Sequence, residues 1–474
     1  MHQALQERTA AAITSPRGEP FGVRLWSGLI AVCLVAICLD SYGISKWPMA
    51  DDEVPSLVEM GLYDVPGDAF SVPAAQIERL PKALPVWYAF QNAALRMLPR
   101  SEFGFRVPSL VCAILLSGLA FVVAARSRGI WFAAALAIVL NLSQPFVFLA
   151  QIDRFYSMPL LLLALTMIAM CAARPGAAML LATAVLATLT VLSHNVTIAV
   201  FVLAFMAACC AYVVGRAPFY LVARSALAAT ISVGLYFVFI RPLVTGWNST
   251  GNPTPVLVSF AAHAGVTSLA LAALGIWLAI KRRDTGVPMV WWGLMLVGSL
   301  CFFQLTGMSW NPRYFLFFLP PMWILAAYAM EQVAVRFEHG SSGAVWYGCV
   351  GVLLLPSLLS HYQDGSRHDY RRAAAVLSAN AEADDPILSD DAETISYYLP
   401  DRLRRHLLVR TKVTKFPDVQ FFLVTRSNAW TTLPQIPGRH LQLMSEIYTR
   451  RFDQFSHILR VYRIAPTSAL DSGS

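Results

Sequence analysis

Three carboxylates stand side by side in the stretch SKWPMADDEVPSLVEMGLYDVPGDAF (45–70): Asp51, Asp52 and Glu53, with Lys46 just upstream. Like charges repel, and carboxylates are costly near hydrocarbon, so such a cluster is either solvated by water or used in chemistry. If used, it suits general-base work, because partial desolvation at a water–lipid boundary raises the pKa and strengthens the base. If solvated, it is an ordinary loop or a helix start favoured by acids.

Groups able to hold an anion come later in the chain. LAQIDRFYSMP sets Arg154 and Tyr156 close to Asp153, and MSWNPRYFLFFLPP sets Arg313 beside Tyr314. A guanidinium binds phosphate through a geometrically matched fork of N–H groups. The competing reading is a cation that snorkels from a helix end to water. His194, in LSHNV, is either a substrate contact or a hydrogen-bonded interfacial imidazole.

The elements that must position these residues are membrane helices. Of the 474 residues, 57% are hydrophobic and 14% charged, and the mean hydropathy is +0.56. A soluble chain of this length needs far more surface charge, so the class is a polytopic α-helical membrane protein. Its net charge of +8 calls for no nucleic-acid partner, because Lys and Arg collect in cytoplasmic loops and beside anionic lipid. All eight cysteines lie in apolar runs without a CxxC or Cys/His cluster, which argues against a disulfide framework and a structural zinc site.

Residues 1–20 read as a cytoplasmic tail, followed by an apolar run near 21–44 that is long enough to span and lacks a convincing cleavage site. Further runs lie near 107–125, 129–149, 156–173, 176–193, 195–214, 219–240, 258–280, 287–306, 314–333 and 343–361. With the first, they predict about eleven transmembrane helices. With the N-terminus cytoplasmic, Arg126, Arg128, Arg174, Arg216, Lys281, Arg282, Arg283 and Arg336 all fall on the cytoplasmic side, as the positive-inside rule requires. The acidic turn, Arg154, His194 and Arg313 then emerge together on the opposite face. Carboxylate bases and phosphate-binding arginines on one face, beside hydrocarbon, suit a substrate that is itself an amphiphilic phosphate.

The domain plan is therefore a transmembrane region over 21–361, with 45–106 as its first periplasmic loop, and a soluble periplasmic α/β domain over 362–474. In the loop, ERLPKALPVWYAFQNAALRML reads as an amphipathic helix whose Trp87 and Tyr88 would sit at the headgroup layer. In the C-terminal part, DYRRAAAVLSANAEADDP and ETISYYL read as helices, and PILSD, HLLVR, VQFFLVT and HILRVYRI as strands.

Taken in order, these motifs resemble the C-type glycosyltransferases, in particular the bacterial branch related to protein O-mannosyltransferases and lipid A aminoarabinose transferases. The resemblance runs over nearly the whole chain: Asp52-Glu53 after the first span, ALPVWYAFQNAALRML, SEFGFRVPSLVCAIL, PFVFLAQIDRFYSMPLLLLAL and NPRYFLFFLPP. Two departures stand out: ALPVWY where the family has Pro-Pro-Leu-Tyr, and Gln151 where it often has arginine. The resemblance implies an inverting transfer of a sugar from a polyprenyl-phosphate carrier to an acceptor glycan, lipid or protein, at the outer face of the inner membrane. Asp52 would take the acceptor's proton, Glu53 or Asp51 would tune it, and Arg154 and Arg313 would neutralise the lipid phosphate, with Lys46, Tyr156, His194 and Tyr314 as further substrate contacts. No cofactor is implied. Three carboxylates could hold a divalent cation, but a carboxylate base needs none.

Two rival classes remain: a secondary transporter or lipid flippase, and a scaffold anchored by its spans. Transporters place charges near the midplane and carry repeats, whereas here the charges sit at span ends and no repeat is visible. A scaffold needs far fewer spans.

Overall fold

The computed structural model describes residues 21–49, 53–65, 79, 81–154, 156–173, 176–243, 264–282, 289–306, 315–337, 341–413, 416–428, 436, 439–449 and 457–466. Asp51, Asp52, Arg313 and Tyr314 lie outside them. The chain divides into two compact units. One holds 1–42, 107–151 and 155–359, and the other holds 43–106, 152–154 and 360–474.

In chain order the helices are α1 (Phe21–Ser41), α2 (Glu53–Glu59), α3 (Pro85–Leu95), α4 (Glu102–Arg128), α5 (Ile130–Asn141), α6 (Gln144–Ala150), α7 (Ser157–Cys171) and α8 (Ala177–Val191). They continue as α9 (Thr197–Val213), α10 (Phe219–Leu235), α11 (Val266–Arg282), α12 (Met289–Thr306), α13 (Pro320–Val335) and α14 (Ser341–Asp364). The last three are α15 (Tyr370–Asn380), α16 (Ala392–Ser396) and α17 (Asp401–Arg404), and the strands are β1 (Ile387–Ser389), β2 (Leu407–Val409), β3 (Phe421–Asn428), β4 (Arg439–Thr449) and β5 (His457–Pro466).

Each apolar run of the sequence carries helix. Among the described residues, α1, α4, α14 and α10 with the π-turn after it are long and apolar enough to cross a membrane. The pair α5–α6 makes a fifth if its 69° bend is read as one broken span. Five of the other apolar helices, α7, α8, α9, α11 and α12, run as apolar helix for 10–17 residues, shorter than the roughly 20 of a full crossing. The protein is a multi-pass membrane protein. The bend has a local cause: Pro145 in the first turn of α6 cannot donate to a continuing α5 ladder, so a new helix starts there. Asn141, the last residue of α5, is held by Ser117 of α4, whose hydroxyl donates to its side-chain oxygen at 2.9 Å. Helix α11 packs closely on α13 because Gly275 has no side chain. A Cβ at that position would lie 2.2 Å from the carbonyl oxygen of Leu325, the small-residue contact expected where helices pack within lipid.

The second unit contains a five-stranded sheet in the order β2-β1-β3-β5-β4. Strand β1 runs parallel to β2 and β3, and β5 runs antiparallel to β3 and β4. Helix α15 is N-capped by Asp369, which accepts from the amide of Arg372 at 2.9 Å. Helices α15 and α16 cover a core that includes Tyr370, Leu377, Ile387, Ile395, Phe422 and Val461. The four predicted strands fall on β1, β2, β3 and β5, whereas β4, at the sheet's edge, was not expected.

Helix α3 forms where the sequence predicts an amphipathic helix, but its aromatic face does something other than expected. Trp87 and Tyr88 are buried within the second unit, together with Gln91 and Leu95, so they do not meet lipid headgroups. Leu95 packs with Met49, Val54, Leu57 and Phe105, against the partly buried Tyr397 and Tyr398. The first loop and the C-terminal segment thus share one apolar cluster.

Candidate active site

Helix α2 starts at Glu53, where the described residues resume after Met49. The Glu53 side chain is fully buried and ion-paired. Arg106, in the first turns of α4, donates from Nε to Oε1 at 2.8 Å and from Nη2 to Oε2 at 2.8 Å. Arg367, between α14 and α15, approaches Oε2 at 3.3 Å from Nη1. The backbone amide of Asp153 donates to Oε1 at 2.7 Å. A carboxylate taken out of water is tolerated only with such compensation.

The same two guanidiniums bind the chain ahead of the acidic turn. Arg106 donates to the carbonyls of Ile44 at 2.6 Å, Trp47 at 2.9 Å and Pro48 at 2.8 Å, and Arg367 reaches Pro48 at 3.3 Å. The amide of Met49 donates to the Tyr398 hydroxyl at 2.6 Å, and that hydroxyl donates to Glu102 at 2.5 Å. Arg371 pairs with Glu102 at 2.5 Å and reaches the carbonyl of Lys46 at 3.2 Å. Burial, then the charge of Arg106, pulls the Arg367 guanidinium down to about 9, while Glu53 pulls it back up. It therefore remains a cation at neutral pH. Burial, then the charge of Glu102, raises the Tyr398 hydroxyl.

Arg154 stands beside this cluster. Its Nη1 contacts the Ser56 hydroxyl and lies 3.5 Å from Glu59 Oε2. Tyr88 donates to the same Glu59 oxygen. Burial and the Glu59 charge raise the Tyr88 hydroxyl, which keeps it a donor. Asp153 is fully buried. Gln91 donates to its Oδ1, and its Oδ2 has no hydrogen-bond partner among the described residues. Burial, then the Glu53 charge, raises this carboxyl well above the ordinary carboxylate value, against Arg106 and Arg154.

The predicted site residues divide as follows. Glu53 and Arg154 belong to one buried polar network in the second unit, joined through Asp153 and α2. Lys46 is exposed, with its ammonium 5.2 Å from the Trp47 ring centre. Tyr156 and His194 come together in the first unit, their rings 5.7 Å apart and both against Phe317, at 6.4 Å and 4.6 Å. The amide of Val196 donates to His194 Nδ1 at 3.2 Å. Among the described residues, no three His, Cys, Asp or Glu side chains form a cluster able to hold a metal ion.

Sequence reasoning gave no site role to Arg106, Gln91, Arg367 or Tyr398, although Arg106 lies within one of the motifs that carry the resemblance. Arg106 carries a signal, a single arginine four residues after Glu102 at the mouth of an apolar run. Gln91 carries one too, a lone amide on the apolar face of α3. Arg367 and Tyr398 look like ordinary surface residues in sequence.

The fold is shared with solved structures of ArnT. Among solved structures the chain is similar to ArnT from Cupriavidus metallidurans in the apo state, at 12% identity and TM-score 0.57, covering 91% of this chain and 97% of that one. It is equally similar to the same protein bound to undecaprenyl phosphate, at 13% identity and TM-score 0.57 over the same shares. The apo oligosaccharyltransferase of Archaeoglobus fulgidus is similar at 11% identity and TM-score 0.49, covering 82% of this chain and 65% of that one. No protein-family model matches the sequence, and no curated protein matches it. At these identities the likeness concerns the fold.

Proposed function

We propose that the protein is an inverting glycosyltransferase that moves a hexosyl or pentosyl group from a polyprenyl-phosphate donor to a glycan, lipid or protein acceptor. The transfer takes place on the extracytoplasmic face of the inner membrane. The observation that carries this reading is the near full-length fold match to ArnT, one structure of which holds undecaprenyl phosphate. About eleven spans, a cytoplasmic N-terminus and an external C-terminal α/β region complete the arrangement.

Asp52 is the general base in this reading. It takes the proton of the acceptor hydroxyl as that oxygen attacks the anomeric carbon. The carbon–oxygen bond to the phosphate breaks on the opposite side, and its electron pair leaves on the lipid phosphate. The commitment of Glu53 to Arg106, Arg367 and the Asp153 amide favours Asp52 over Glu53 as the free base. Arg154 and Arg313 meet the charge that gathers on the leaving phosphate, with Lys46, Tyr156, His194 and Tyr314 as further contacts. Fixed cations in a site of low dielectric stabilise that charge without reorganising, and losing one such contact costs about a hundredfold in rate. The chemistry needs no metal ion or cofactor, because the proton goes to a carboxylate and the charge to guanidiniums.

The test is purified protein in lipid vesicles, offered a panel of polyprenyl-phosphate sugars, with released polyprenyl phosphate as the readout. Wild type releases it from at least one donor, and Asp52→Asn releases none while still binding that donor. Full activity in Asp52→Asn removes Asp52 as the base, and no release from any donor by wild type overturns the function.

A further inference from the structure

We propose that Glu59 sets the charge selectivity of a phosphate site at Arg154, so that the site takes a singly charged lipid phosphodiester and lets go of the doubly charged phosphomonoester. This rests on the reading of Arg154 as a contact of the lipid phosphate.

Glu53, Ser56 and Glu59 recur every three residues and so share one face of α2. Glu53 is committed to Arg106 and Arg367, whereas Ser56 and Glu59 both meet Arg154. The Arg154 Nη1 contacts the Ser56 hydroxyl and lies 3.5 Å from Glu59 Oε2. The two side chains of this ion pair are 12% and 5% exposed, so salt and water screen it little. Tyr88 of α3 donates to the same Glu59 oxygen, which holds the carboxylate towards the guanidinium. Glu59 also stands in the last turn of α2, where the carbonyl ends of a helix favour a cation and disfavour an acid. The stability of α2 therefore does not account for this acid, and its charge acts on Arg154.

A phosphate that binds Arg154 has to share it with this carboxylate. In the proposed transfer the bond from the anomeric carbon to the phosphate oxygen breaks, its electron pair stays on the phosphate, and the acceptor's proton goes to the general base. The one charge of the donor diester thus becomes the two charges of the product monoester above a pH of about 6. Repulsion between anions grows in proportion to their charges, so Glu59 penalises the product twice as much as the donor. Without Glu59 the guanidinium would hold the product more tightly than the donor, and product release would slow turnover.

The experiment measures equilibrium binding to the full-length protein in lipid vesicles at about pH 8, where a phosphomonoester carries two charges. The probes are solanesyl phosphate, a polyprenyl phosphomonoester, and its methyl ester, the same lipid as a singly charged diester. Glu59→Gln removes the charge and keeps an oxygen for Tyr88 to donate to. It is expected to tighten the diester about threefold and the monoester about tenfold, the square of that factor. Glu59→Ala removes the charge and the Tyr88 bond together and is expected to shift the ratio of the two affinities in the same direction, so the outcome does not hang on the folding of one variant. With a working donor, added solanesyl phosphate should inhibit Glu59→Gln about tenfold more strongly than wild type. A ratio unchanged from wild type in both variants overturns the proposal. Arg154→Gln is expected to weaken both lipids. If it binds both as tightly as wild type does, the reading of Arg154 as a phosphate contact falls instead.

Discussion

Glu53 and Arg106, both fully buried, face each other through two parallel bonds of 2.8 Å, Nε to Oε1 and Nη2 to Oε2. Arg367 adds a second guanidinium at 3.3 Å, so the carboxylate compensates two buried cations at once. Removing one partner of a buried ion pair costs about 3–5 kcal/mol, because the charge left behind has neither water nor a counter-ion. Glu53→Gln is therefore expected to lower the unfolding midpoint of the detergent-solubilised protein strongly. Adding Arg367→Met should recover part of that loss. A single variant that unfolds within a degree or two of wild type would mean that water reaches the cluster.

Trp47 is packed against two glycines that stand in the left-handed region, Gly43 at φ +76° and Gly365 at φ +69°. A Cβ at Gly365 would meet the Trp47 side chain at 2.6 Å. Gly61 has nearly the same conformation, φ +67°, with nothing within 4 Å of its Cβ position. Gly61→Ala should cost only the backbone strain, roughly 1–2 kcal/mol. Gly365→Ala adds a collision with a buried ring and should cost clearly more. Comparing thermal midpoints of the two variants separates strain from packing, and equal shifts would show that Trp47 moves aside freely.

The contrast between what the sequence made legible and what it hid has a physical basis. Apolar runs announce helices because about 30 Å of hydrocarbon demands some 20 apolar residues, and each run carries helix, the run near 129–149 as the bent pair α5–α6. The strands β1, β2, β3 and β5 were legible because their apolar residues are continuous or alternate. The edge strand β4 was not, since exposed Leu443 and Tyr448 and a bulge between Leu443 and Ser445 break its alternation. In the candidate site, Glu53 and Arg154 were legible as charges beside apolar runs. Arg367 and Tyr398 were not, because their partners lie hundreds of positions away and their burial is tertiary. Trp87 and Tyr88 were misplaced at the lipid surface for the same reason: amphipathic spacing does not say whether an apolar face meets lipid or protein.

Asp153 gives the protein a pH dependence whose direction can be worked out. Its carboxyl is raised by burial and then by Glu53, so the folded state holds a proton that the unfolded state releases near the ordinary value of about 4. Stability from this group is full below that value. It falls as pH rises, until the raised folded-state value is passed. Asp153→Asn keeps an oxygen for Gln91 to donate to and cannot ionise. The variant should be more stable than wild type at neutral pH, and the gap should close as pH falls towards 4. Thermal midpoints of both proteins across that range test it. A gap independent of pH would mean that Asp153 is ionised in the fold or reached by water.

In the proposed function, the orientation of the second unit decides where the transfer takes place, because that unit holds both the chain flanking the acidic turn and the C-terminal sheet. Asp384 is 98% exposed, on the segment before β1, and Arg126 is exposed in the last turn of α4. The positive-inside pattern predicts Arg126 in the cytoplasm and Asp384 outside. In a background with the eight native cysteines replaced, a membrane-impermeant maleimide applied to intact cells should label Asp384→Cys and leave Arg126→Cys unlabelled until the membrane is opened. The reverse pattern would turn the acidic turn towards the cytoplasm. A polyprenyl-phosphate sugar would then have to be used on the inner face, and the choice of acceptors would shift from envelope glycans and lipids to cytoplasmic molecules.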